Sequence, residues 1–146
     1  MKCVGQYLVN DHEQINRLLR SSGSMLRAGM PDLAKGLLEN FRQELEHHVE
    51  LEESRFFEPF VRKTGDPDKA VAELYRQHAE IDARLDVLEQ RLSGREDVEQ
   101  TLALMQQLEA LLDQHCHFEE KTLYAFASEW AAERRAEAAA AEAKEA

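Results

Sequence analysis

Turn-forming residues are scarce in this sequence. Three prolines and six glycines are spread over 146 residues. A sandwich of many short strands would need more of them, so the scarcity favours long helices. Cysteine is scarcer still, with Cys3 and Cys116 alone. Two cysteines so placed form no CxxC, no zinc-ribbon spacing and no disulfide framework. No apolar run reaches the roughly 18 residues of a membrane-spanning helix. The start, Met1 to Gln6, has no apolar h-region, so the expected location is the cytoplasm. Neither GxGxxG nor a P-loop glycine pattern occurs, which leaves a dinucleotide or nucleotide site unsupported. Positive charge is also short: Lys and Arg total 18 against 29 Asp and Glu, a net charge of −11. A field of that sign repels nucleic acid and anionic membrane, and neither is expected as a partner. The sequence specifies no protein partner.

What remains is an ordinary globular composition, 43% hydrophobic and 32% charged, sufficient for one domain with a sizeable core. The chain is punctuated at three places: Gly29-Met30-Pro31, Gly65-Asp66-Pro67 and Ser93-Gly94. Pro31 suits a first helical turn; Gly65 can close a helix, Asp66 can cap the next and Pro67 can open it. Asn10, three before Glu13, offers a capping-box-like start for the first helix. The breaks predict four helices, near 8–29, 31–64, 67–93 and 95–130. Pro59 should kink or end the last turn of the second.

Each helix carries an apolar stripe. The third is the most regular: Val71, Leu74, Ile81, Leu85, Leu88, Leu92. Short connections between long amphipathic helices favour antiparallel neighbours. The expected fold is all-α: an up-down-up-down antiparallel four-helix bundle over 1–130. Residues 131–146 are Ala- and Glu-rich with no stripe to bury, and read as a helical tail outside the core.

The stripes are interrupted by histidines, one per helix: His12, His48, His78 and His115. Glu52 and Glu119 follow His48 and His115 by four residues. Positions i and i+4 lie about 40° apart on a helix, so each pair can aim a nitrogen and a carboxylate at one point. Buried carboxylates without partners cost several kcal/mol. Four histidines and two glutamates pointing inward call for a cation. Imidazole with carboxylate suits first-row metals: iron or manganese, with zinc also compatible. Carboxylates can bridge, so a metal pair fits the ligand count better than one ion. A polar core without metal is the plainer alternative. A ferritin-like site needs Glu-x-x-His twice, and that spacing occurs once, at Glu44 and His47. A zinc-protease His-Glu-x-x-His is absent. His47 and His117 adjoin the inward histidines and so face elsewhere. Cys116 is rotated from the stripe. The aromatics Phe56, Phe60, Phe118, Tyr124 and Phe126 read mainly as core, some of them as a dry wall around a site.

The combination resembles the hemerythrin-like, HHE cation-binding family over about residues 8–128. The resemblance rests on Asp11-His12, on His47-His48 through Glu52-Glu53 with Phe56-Phe57-Glu58-Pro59-Phe60, on His78, and on His115 through Glu119-Glu120 with Leu123-Tyr124. It implies a non-haem centre of two iron ions with an oxo or hydroxo bridge and two bridging carboxylates. On it, His12, His48, His78 and His115 match histidine ligands and Glu52 a bridging carboxylate. The second bridge is Glu119 or Glu120; ideal helix geometry prefers Glu119, since five residues from His115 is about 140° around. Oxygen-carrying members have a fifth histidine four residues after the one in the third helix. This chain has Asp82 there, either a substitute ligand or a surface residue.

The resemblance implies binding or sensing of dioxygen or nitric oxide, or of iron and redox state, in a stress response. Two other classes stay open. One is a di-iron redox enzyme, with peroxidase or nitric oxide turnover, or an iron-centre repair protein. The other is an interaction module that metal merely stabilises. A binding or sensing role is favoured over an enzymatic one.

Overall fold

A computed structural model describes residues 4–145, and within them the structure is helical without strands. Cys3 lies outside the described residues. The order is α1 (Val4–Arg27), α2 (Pro31–Glu52), a π-helical turn (Glu53–Phe57), α3 (Glu58–Thr64), α4 (Ala70–Ser93), α5 (Val98–Thr122) and α6 (Tyr124–Glu145). The helices α1, α2, α4 and α5 form the bundle. Around it, α1 packs on α2, α2 on α4, α4 on α5 and α5 back on α1.

The punctuation largely sits where local chemistry puts it. Pro31 occupies the first turn of α2, where its missing N–H is no loss. Gly65 closes α3 in the left-handed conformation, φ 76°, that residues with a Cβ resist. Both Asp66 carboxylate oxygens accept from the start of α4, at Ala70 N (2.7 Å) and Val71 N (3.1 Å). Asp97 caps α5 by accepting from Gln100 N at 2.9 Å.

Several boundaries differ from the expected ones. Asn10 is inside α1 rather than at its start, because the helix extends back to Val4. That extension is held by the end of the chain: Gly5 N donates to Ser128 Oγ of α6 at 2.7 Å. A Cβ at Gly5 would lie 2.5 Å from the same hydroxyl oxygen, so glycine permits the approach. Pro67 does not open α4, which begins at Ala70 after a turn. The segment 31–64 is not one α-helix. Its pitch widens over Glu53–Phe57, and Pro59 follows in the first turn of α3. A wider turn is one way to relieve the clash between a proline ring and the preceding carbonyls. The last helix breaks at Leu123 and resumes as α6. Its residues after Ala131 are exposed, as the missing stripe predicts.

The core is in two pieces. One holds Ile15, Leu19, Phe41, Leu45, Ile81, Leu85, Met105, Leu112 and their neighbours. The other holds Leu8, Phe56, Phe57, Phe60, Leu74, Leu123, Tyr124 and Ala127. His12 falls between Leu8 and Ile15, and His48 with Glu52 between Leu45 and Phe56. His78 falls between Leu74 and Ile81, and His115 with Glu119 between Leu112 and Leu123. The polar interruptions of all four stripes therefore form one layer separating two apolar clusters. Cys116 is buried and packs in the first cluster, contrary to its expected rotation away from the stripe.

A candidate metal centre

The polar layer is tightly convergent. His12, His48, Glu52 and Glu119 offer one atom each within 4.8 Å of one another, and so do Glu52, His78, His115 and Glu119. The two groups share Glu52 and Glu119. Both glutamates are fully buried, and His12, His48 and His115 nearly so, at 4%, 1% and 2% exposure.

The i, i+4 pairs point as their spacing requires. His48 Nε2 is 3.4 Å from Glu52 Oε1, and His115 Nε2 is 2.8 Å from Glu119 Oε1. His12 Nε2 lies 3.1 Å from Glu119 Oε1. His78 Nε2 is 3.7 Å from Glu52 Oε1 and 3.8 Å from Glu119 Oε2. All four Nε2 atoms thus face the centre.

All four Nδ1 atoms face outward and are held. His48 Nδ1 pairs with Asp11 (2.7 Å), His78 Nδ1 with Glu53 (3.2 Å), His115 Nδ1 with Gln77 (2.7 Å) and His12 Nδ1 with Glu120 (3.5 Å). Each partner is the chain neighbour of one inward residue, yet it serves a histidine of the next helix. Asp11 of α1 holds α2, Glu53 after α2 holds α4, Gln77 of α4 holds α5, and Glu120 of α5 holds α1. Carboxylate and amide oxygens only accept, so in the neutral ring the hydrogen sits on Nδ1 and a lone pair on Nε2 points inward. That is the tautomer a metal needs, fixed by the usual outer partner.

Glu120 is therefore an outer partner of His12, with its side chain 36% exposed, while Glu119 faces the centre. Asp82 is not brought to the centre. Its side chain is 61% exposed and accepts from Arg42 at 2.8 Å, beside Asp86 and Glu89, which also bind that guanidinium. His47 and His117 are exposed, as expected of ligand neighbours.

The electrostatics show a centre short of positive charge. Burial and the adjacent Glu119 push the Glu52 carboxyl well above the usual range, so it keeps its proton. Burial pushes Glu119 the same way, but the polar groups of Glu52, His115, His12 and His78 crowded around it outweigh burial and hold Glu119 well below that range. Burial also opposes protonation of His48, yet hydrogen bonds with Asp11 and Glu52 override it and push the ring up to about 10. Burial lowers His115, helped by His78 and His12.

Four buried side-chain atoms have no hydrogen-bond partner among the described residues: Glu52 Oε1, Glu119 Oε2, His78 Nε2 and His115 Nε2. All four belong to one of the two groups. Orphaned lone pairs of nitrogen and oxygen, facing one another in a buried layer, fit a metal ion by their donor chemistry.

One central residue reads from the sequence as core or as part of a dry wall, and not as a polar group at the centre. The Tyr124 hydroxyl lies 2.6 Å from His12 Nε2, 3.1 Å from His48 Nε2, 3.1 Å from Glu52 Oε2 and 3.4 Å from Glu119 Oε1. Five residues after Glu119, it would point away on an uninterrupted helix. The break at Leu123 and the length of the phenol return it to the centre.

Among the described residues, no helix is long and apolar enough to cross a membrane. A family model described as Hemerythrin HHE cation binding domain matches residues 4–127. Neither the curated proteins nor the solved structures supply a match.

Proposed function

The chain belongs to the hemerythrin HHE cation-binding domain family, and on that premise we propose that it holds two iron ions and binds dioxygen or nitric oxide at them. The observation that carries this reading is the sharing of Glu52 and Glu119 by two four-residue groups. His12 and His48 would hold one ion and His78 and His115 the other, with both glutamates serving the two. A bound iron pair would supply reversible redox chemistry and a binding position for a small diatomic ligand. The protein's part is to orient four imidazoles through their outer partners and to keep the layer dry between two apolar clusters. A cleft of about 690 Å³, lined by Val49, Glu53, Tyr75 and His78 among others, opens on the outer side of His78.

Iron reconstitution of the purified chain tests the reading. The expected result is about two irons per chain, a higher melting temperature, and ferric absorption that shifts on adding azide. Failure to take up iron, with an unchanged melting temperature, would sink it.

A further inference from the structure

The two groups correspond residue by residue. His48, Glu52 and Phe57 stand in the same spacing as His115, Glu119 and Tyr124. His78 answers His12, and each is preceded by an outer partner, Gln77 and Asp11. Glu53 answers Glu120, one residue after each glutamate. Phe57 lies parallel to the His78 ring with centroids 6.1 Å apart, and Tyr124 lies against His12 at 5.2 Å. The correspondence fails at two positions: phenylalanine against tyrosine, and glutamine against aspartate.

The first failure places an oxygen on one side only. We propose that Tyr124 is itself a metal ligand, binding through its phenolic oxygen the ion held by His12 and His48, while the Phe57 side is left open for an incoming molecule. This rests on the proposed iron pair.

Three observations carry it. A hydroxyl has one hydrogen to donate and two lone pairs. The Tyr124 oxygen has four polar neighbours between 2.6 and 3.4 Å, more than hydrogen bonding alone can use. Those distances suit a shared ion. Nitrogen and oxygen ligands lie about 2.1 Å from a first-row metal, so neighbours at right angles are about 3.0 Å apart and opposite ones about 4.2 Å. His12 Nε2 to Glu119 Oε1 is 3.1 Å and His48 Nε2 to Glu119 Oε1 is 4.0 Å, one of each kind. The phenolic oxygen stands near the right-angle distance from all four neighbours. Finally, His12 Nε2 and His48 Nε2 have the tyrosine hydroxyl as partner, whereas His78 Nε2 and His115 Nε2 face only the glutamates and have no hydrogen-bond partner among the described residues. Binding breaks the O–H bond, forms an oxygen–metal bond and releases one proton to solution; no electron changes hands.

The test uses the full chain loaded with iron and examined by visible absorption and resonance Raman, with zinc-loaded protein as the blank. Wild type should show a phenolate-to-iron charge-transfer band with tyrosinate ring vibrations. Y124F should lose both and still hold iron, and Y75F should keep both. The other two tyrosines, Tyr7 and Tyr75, are 54% and 48% exposed, so the wild-type vibrations decide the matter even if Y124F fails to fold. Iron-loaded wild type without phenolate vibrations would overturn this assignment and leave the iron pair standing, as would an unaltered band in Y124F. A chain that takes up no iron would overturn both.

Discussion

The two halves of the polar layer are built to one plan and finished differently. In the His12 and His48 half, both inward nitrogens have a hydroxyl partner, and Asp11 holds one ring from outside. In the His78 and His115 half, both inward nitrogens are orphaned, a neutral amide takes the place of that carboxylate, and a cleft adjoins. One half is closed by the protein and the other is left for something from outside. On the proposed iron pair, the first half would anchor its ion and the second would expose its own to chemistry.

The largest break in the comparison should come from Glu119, the residue that faces both halves. Glu119→Ala is expected to abolish metal binding in both, measured as metal content after reconstitution, with helicity by circular dichroism retained. A half-loaded protein would show that the halves are less interdependent than their shared carboxylates imply.

Next in size, Phe57→Tyr should make the open half resemble the closed one. Two metals should remain, while azide affinity falls by about ten-fold or more, worth about 1.4 kcal/mol. Unchanged azide titration would mean that Phe57 does not border the position where small ligands bind. Asp11→Asn tests the other asymmetry, since an amide there matches Gln77. Loss of an outer carboxylate on a metal-bound histidine typically weakens binding by about 10–100-fold. The loss should fall on one of the two metal equivalents only, read from a competition titration with a chelator. The smallest effect belongs to Asp82→Ala. Its exposed carboxylate shares Arg42 with three others, so metal content should not change and stability should move by about 0.5 kcal/mol or less. A lost metal equivalent would return Asp82 to the centre.

The outline of the fold was legible wherever a residue dictates its own backbone. Pro31, Gly65 and Asp66 act on bonds within a few residues of themselves, so their effects appear in the chain order. The inward histidines were legible for a related reason: each breaks a stripe whose period is set by its own helix. The π-helical turn after Glu52 and the break at Leu123 were not. Pro59 announced a disturbance but not that it would spread upstream to Glu53. Leu123 carries no breaker at all, and the interruption there is slight, with the backbone at φ −97°, ψ −37° and still in the right-handed helical region. Tyr124 was missed on that account, since its direction depends on a break with no local signal. The outer partners were hidden differently. Asp11, Glu53, Gln77 and Glu120 each adjoin an inward residue, which suggested no role across the bundle. Their service to the next helix depends on relative rotation, and that is a property of packing.

The circuit of outer partners has a consequence for how the chain assembles. Its four links join the helices in a closed ring, each helix giving one and receiving one. If one helix slid by a single turn, about 5.4 Å, it would drop both its links and misalign its own histidine. Two apolar clusters alone would tolerate such slippage better, since leucines forgive exchange with leucines. The ring works as a registration gauge: ion capture would certify that all four helices are threaded at the right height.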